Sequence, residues 1–193
     1  NLSQAPHVLR GMRGTYRLGR PPQAGTEIEK DMEDLLFTNL VDGMCGSFMA
    51  QTSDELCKRI GVTREEADAF AAMSHQRTEN SIDAGVWAQE IVEVDTGNGM
   101  VGAGDEDHVV RDTTAESLSG LRTHFGPDSL VTAGNASGVV DGAAAVVIKS
   151  ASRATADGDS PLARIVSWGI VGLEPAIMAH GPVPSSRKAL EKA

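Results

Sequence analysis

Positive charge is scarce in this chain. Lys and Arg number 17 against 27 Asp and Glu, which leaves a net charge of −10. A surface of that sign repels phosphate backbones and anionic headgroups, so neither nucleic acid nor a membrane is expected as a partner. Long apolar runs are missing too: none approaches the roughly 18 residues of a bilayer-spanning helix. The opening residues, Asn1 to Arg10, have neither the basic start nor the apolar stretch of a secretory signal. Cysteine is limited to Cys45 and Cys57, which excludes a disulfide framework and makes a reducing compartment the default. His7, His75, His108, His124 and His180 show no His-x-x-x-His or Cys/His spacing, so no metal site is expected.

What is there is the composition of a globular protein. Of 193 residues, 40% are hydrophobic and 23% charged, enough for a core and for one or two domains. The stretch that organises the chain is Thr132-Ala-Gly-Asn-Ala-Ser-Gly-Val-Val-Asp-Gly-Ala-Ala-Ala145. Its glycines let backbone pass close to another strand or to a ligand. The apolar run that follows, Ala143 to Ile148, lacks alternation and reads as a strand buried on both faces.

Earlier in the chain, Arg10, Arg13, Arg17 and Arg20 stand among glycines and prolines, the pattern of a loop. Such arginines bind phosphate, stay solvated, or form an inter-subunit arm, and the residues alone leave these open. Residues 27–40 read as a helix with Met32, Leu35, Leu36 and Leu40 on one face. Met44 to Ala50 reads as a loop. Thr52-Ser-Asp-Glu55 reads as a capping box that opens a helix ending at Gly61. Thr63-Arg-Glu-Glu66 repeats the device and opens a longer helix, with Ala67, Phe70, Ala71 and Ile82 on its apolar face, closing at Gly85.

Glu90 to Asp95 reads as a strand, and Gly97-Asn98-Gly99 as a turn. Asp105 to Arg111 is a polar loop or edge strand. Thr114 caps a short helix through Leu121, and Phe125-Gly-Pro-Asp128 is another turn. Ser150 to Ala156 suits a short helix, and Pro161 to Ile170 a second strand.

The organising stretch resembles the thiolase family, the acyl-CoA:CoA acyltransferases. So do Asn1-Leu-Ser-Gln-Ala-Pro-His7, Pro161-Leu-Ala-Arg-Ile-Val-Ser-Trp168 and Met178-Ala-His-Gly-Pro-Val-Pro184, in the family's order and across nearly the whole chain. The resemblance implies an α/β fold: partial thiolase-like αβαβα layers with an inserted α+β loop domain. It implies that residues 1–9 end part of the N-terminal half and that 10–136 are the inserted loop domain, for CoA binding and an oligomerisation arm. Residues 137–158 would return to the N-terminal half, and 159–193 would begin the C-terminal half. It favours the arm for the arginine-rich loop, and a dimer or tetramer.

Thiolase chemistry needs a cysteine nucleophile, a base, a second acid/base and donors for a thioester oxyanion. In the family the nucleophile lies before the segment matched by Asn1. The Asn-Glu-Ala-Phe, Gly-His-Pro and second Cys-Gly motifs lie after the segment matched by Ala193, and none of the three occurs here. No catalytic residue is therefore assigned. The absence of an initiator Met and the helix-like run from Arg187 to Ala193 give the expectation of the middle of a longer protein, inactive in thiolysis by itself.

Within the family likeness this region forms the coenzyme A cradle. Leu40 and Met49 match apolar positions beside the acyl and pantetheine ends. Arg111 matches a basic residue near the nucleotide, across a one-residue gap, and Ser117 a nucleotide-side contact. Ala133, Ser137 and Val139 match positions along the pantetheine, and Met178 one lining the thioester pocket. Pantetheine is thin and amide-bearing, so small-residue loops with exposed backbone suit it; phosphates suit an arginine. Coenzyme A or acyl-CoA is thus expected as substrate, with no covalently bound cofactor. Phe48, where many biosynthetic members have His, leans toward the degradative 3-ketoacyl-CoA thiolases. A cytoplasmic or organelle-matrix location follows.

Two rival readings remain. One is a non-catalytic CoA-binding or assembly module. The other is an independent enzyme using Cys45, which no Lys, Arg or His flanks. Cys57, His180 and Asp141 have ordinary structural readings: core thiol, packed or surface imidazole, and turn acceptor.

Overall fold

The computed structural model describes residues 4–9, 32–105 and 109–193. The arginine-rich loop from Arg10 to Arg20 and the start of the helix expected at 27–40 lie outside them. The chain forms two compact units: Asn1–Thr52 together with Val139–Ala193, and Ser53–Gly138.

In the first unit, β1 (His7–Leu9) pairs antiparallel with β2 (Met32–Asp34), with Val8 opposite Glu33. Met32 is thus a strand residue, and among the described residues of the expected helix only the following part is helical. It is α1 (Leu35–Asn39), opened by Asp34, whose Oδ1 accepts from the Leu36 amide at 2.9 Å. The ladder fixes extended backbone up to Asp34, and this overrides the helical spacing of the apolar residues.

The turn after α1 is held by Asp42, whose Oδ1 accepts from the amides of Met44 and Cys45, both at 2.8 Å. These bonds hold the Asp42 carboxyl below its ordinary pKa. Next comes α2 (Met49–Ile60). It starts before the expected Thr52 box. Thr52 is buried inside it and donates its hydroxyl to the Met49 carbonyl at 2.6 Å. The side chain that reaches back at this end is Gln51, accepting from the Phe48 amide at 2.9 Å. The helix does end at Gly61, in left-handed conformation (φ +75°).

The second unit is built on α3 (Arg64–Asp83). Its capping box is the expected one, with the Thr63 hydroxyl on the Glu66 amide and the Glu66 carboxylate on the Thr63 amide, and Gly85 follows at φ +69°. Its buried side is different. Ala71 is buried, but Phe70 is 68% exposed and Asp68 only 1%. A short α4 (Trp87–Glu90) replaces the start of the strand expected at Glu90–Asp95. Only β3 (Val94–Asp95) is strand, paired with β4 (Met100–Val101) around the Gly97-Asn98-Gly99 turn. A 3-10 turn (Ala103–Asp105) follows, then α5 (Ala115–Ser119) with Thr114 at its cap.

Past residue 138 the chain returns to the first unit. Ala143 to Ile148 forms no strand: Val146, Val147 and Ile148 are 74% exposed or more. Pro161 to Ile170 likewise pairs with no strand among the described residues. A strand needs a neighbour to take its amides and carbonyls, and periodicity alone does not provide one. Between the two, α6 (Ala151–Asp157) forms as expected, with Ser150 accepting from the Arg153 amide at 3.2 Å.

A 3-10 segment (Pro175–His180) leads into α7 (Pro182–Leu190). The end of the second expected strand is fastened to α7 instead of to a sheet. Ser167 donates to the Ala189 carbonyl at 2.6 Å and Lys188 to the Ile170 carbonyl at 2.9 Å. Gly169 sits against the helix so closely that a Cβ there would overlap the Ser185 carbonyl. No described helix is long and apolar enough to cross a membrane.

Candidate functional site

The organising loop is folded by its own side chains. Asn135 Oδ1 accepts from the Thr132 amide at 2.8 Å, and Nδ2 donates to the Leu130 carbonyl at 2.8 Å. The Thr132 hydroxyl accepts from the Gly134 amide at 3.3 Å, and the Ala136 amide closes on the Thr132 carbonyl at 3.1 Å. Asn is suited to this because one amide serves two backbone groups of opposite polarity.

Buried carboxylates on two helices hold this loop. Asp54 of α2 accepts from the Ser129 hydroxyl at 2.6 Å and the Leu130 amide at 2.8 Å. Asp68 of α3 accepts from Asn135 Nδ2 at 3.0 Å and, on its other oxygen, from Arg64 Nε at 2.7 Å. His75 Nε2 lies 3.4 Å from the Gly134 carbonyl. Hydrogen-bonded partners offset the desolvation of each buried carboxylate.

Of the residues expected in the cradle, Ser117, Ala133 and Ser137 are exposed in this unit. The loop and α5 touch: at Gly134, between Ala133 and Ser137, an added Cβ would overlap Leu118 and lie 2.6 Å from Leu121 Cδ1. Ser117 is occupied by its own helix, its Oγ accepting from the Thr114 amide at 3.1 Å and donating to the Thr114 carbonyl at 2.8 Å.

Arg111 is exposed but engaged. Its guanidinium donates to Asp83 at 3.0 and 3.4 Å and to Glu79 at 3.1 Å, both on α3. Asp83, then Glu79, raises its pKa further. A phosphate at Arg111 would have to compete with these two acids.

In the first unit, Leu40 and Met49 come together, the Met49 amide donating to the Leu40 carbonyl at 3.0 Å beside the Val41–Phe48 bridge. Val139 and Met178 are exposed in the same unit. Burial first, and the Asp54 charge second, push the Cys57 thiol pKa up, which leaves it less of a nucleophile. No metal-holding cluster of His, Cys, Asp or Glu occurs among the described residues.

The sequence reading missed Asp54, Asp68 and Asn135 as a set. The available signal was the pair Arg64 and Asp68, one helical turn apart on α3.

The family model for the thiolase N-terminal domain matches residues 1–152. This chain belongs to the thiolase family. It is 42% identical over 200 residues to an acetyl-CoA acetyltransferase of Allochromatium vinosum, covering all of this chain and 48% of that protein. The crystal structure of the Bacillus anthracis acetyl-CoA acetyltransferase superposes with a TM-score of 0.84 at 34% identity, covering 100% of this chain and 47% of that one. Human mitochondrial 3-ketoacyl-CoA thiolase, solved in complex with CoA, gives a TM-score of 0.83 at 37% identity, over 99% and 46%. The fold is therefore the thiolase α/β fold, and the chain spans about half the length of the relatives it matches.

Proposed function

We propose that the protein carrying this chain is a thiolase-type acyltransferase. It would pass an acyl group between a cysteine thioester and coenzyme A, in thiolysis of a 3-ketoacyl-CoA or in the reverse condensation. This chain supplies part of the wall that holds the coenzyme, and the reacting sulfur lies on other polypeptide. The observation that carries the reading is the fastening of the small-residue loop to α5. It sets Gly134, next to the exposed Ala133 and three residues before the exposed Ser137, against Leu118 of the helix that bears Ser117. A slender amide-bearing ligand suits a wall of small side chains and accessible backbone.

The human relative's structure with bound CoA supports the choice of ligand. Leu40, Met49, Val139 and Met178 would serve the acyl and pantetheine end, and Arg111 the nucleotide end. In this reading, residues 10–136 form a loop domain inserted into the first thiolase half and contribute to a homo-oligomer. The protein works in the cytoplasm or an organelle matrix.

Ser137→Trp should obstruct that wall and raise the KM for CoA at least about tenfold, the effect of losing well-packed ligand contacts. An unchanged KM would sink the assignment. Residues 1–193 alone should show no thiolysis, and clear turnover would place the reacting groups within them.

A further inference from the structure

The buried polar groups beneath the loop do more than satisfy one another. Asp68, 1% exposed, uses its two oxygens on different elements. One oxygen holds Asn135, which fixes the loop from Leu130 to Thr132. The other holds Arg64 through Nε, while Arg64 Nη2 donates to the Leu118 carbonyl at 2.8 Å and the Leu121 carbonyl at 3.3 Å, at the end of α5. From the opposite side, the absence of a side chain at Gly134 lets the loop close on Leu118 and Leu121. The loop and α5 thus meet twice: directly at Gly134, and through the chain Asn135–Asp68–Arg64.

We propose that Asp68, with Asn135 and Arg64, is a positioning device for coenzyme binding, setting the loop of Ala133 and Ser137 in register with the helix of Ser117. This rests on the coenzyme-wall reading above. None of the three needs to touch the ligand. A carboxylate shared by two donors at different points of a wall removes their relative freedom before the ligand arrives. That lowers the ordering cost of binding and leaves the chemical step untouched.

The test is CoA titration at saturating acyl substrate in the protein that carries this chain. Asn135→Asp sets a carboxylate against Asp68 and should raise the KM for CoA about tenfold with kcat unchanged. Adding Asp68→Asn exchanges donor and acceptor across that gap but leaves the new carboxylate facing the Leu130 carbonyl, so KM should fall part of the way back toward the original. Gly134→Ala, which acts on the direct contact, should raise KM about threefold. Should Asn135→Asp fail to fold, Arg64→Lys, which gives up the forked link from Asp68 to the Leu118 and Leu121 carbonyls, takes its place and should raise KM about threefold; an unchanged KM overturns the proposal. Ala71→Gly, a destabilising change on the same helix outside the chain of bonds, should leave KM unchanged.

The proposal is overturned if Asn135→Asp leaves KM alone, if the double variant is no better than the single, or if Ala71→Gly raises KM equally. Ser137→Trp separates the two readings. If it raises KM while Asn135→Asp does not, only the positioning role fails. If Ser137→Trp has no effect, the coenzyme wall itself fails.

Discussion

The unit Ser53–Gly138 and the returning stretch 139–170 solve the same problem in different ways. The first buries few apolar side chains, Ala71 and Leu118 among them, yet binds its long loop down through Asp54, Asp68, Ser129 and Thr132, all buried and all hydrogen-bonded. The second is rich in Val and Ile and buries almost none of them: Val147 is 85% exposed and Leu162 fully so. Within these 193 residues, apolar composition by itself does not make a core. A segment is held when its backbone groups find partners, and polar side chains supply them in the first region where strands do not in the second.

Hydrogen exchange on the 193-residue chain should give the largest difference. The amides of Leu130 and Thr132, bonded to the side chains of Asp54 and Asn135, should exchange at least about a hundredfold more slowly than those of Val146 to Ile148. Comparable rates would erase the distinction. Next, Asp68→Ala should cost about 3 kcal/mol, because it takes from the Arg64 guanidinium its charged partner and from the Asn135 amide one of its two acceptors. Thermal or urea unfolding that registers almost no change would mean the polar groups do not hold this unit.

Gly169→Ala addresses the one well-fastened part of the returning stretch. The new methyl would press on the α7 backbone and should cost about 2 kcal/mol. An equal loss from the same change at Gly142, where a Cβ meets nothing within 4 Å, would show that this fastening is incidental. The smallest effect is expected at Thr63→Ala, about 1 kcal/mol for a lost cap, read from the unfolding midpoint. A larger loss would make α3 less independent than its bonds to the loop suggest.

These cases also mark how much was legible in the sequence. The Thr63 box, the closing glycines Gly61 and Gly85, and the Gly97-Asn98-Gly99 turn are decided within a few residues, and each was read correctly. Within the helix expected at 27–40, Met32 to Asp34 is strand because β2 is set by a partner far away in sequence, while Leu35 to Asn39 is helix. The Thr52 box failed because Gln51 capped the helix first. The strands expected at 143–148 and 161–170 had the composition but have no pairing neighbour among the described residues. At the site, the small-residue loop stood out, but its support did not. Asp54 and Asp68 look like surface acids in the sequence, and only contacts with residues 75 and 67 positions away reveal their work. Arg111 was legible as a cation, but its two acidic partners on α3 were not.

The bare run from Ala143 to Ile148 also bears on handling. Six small or β-branched residues without charge or proline are the composition from which fibrils grow. They are bracketed by Asp141 and by Lys149, the latter engaged with Asp157 and Asp159. Such flanking charges act as gatekeepers against stacking of identical segments. The composition of these 193 residues gives an isoelectric point near 4.9, so mild acid would strip away the mutual repulsion that keeps copies of this chain apart.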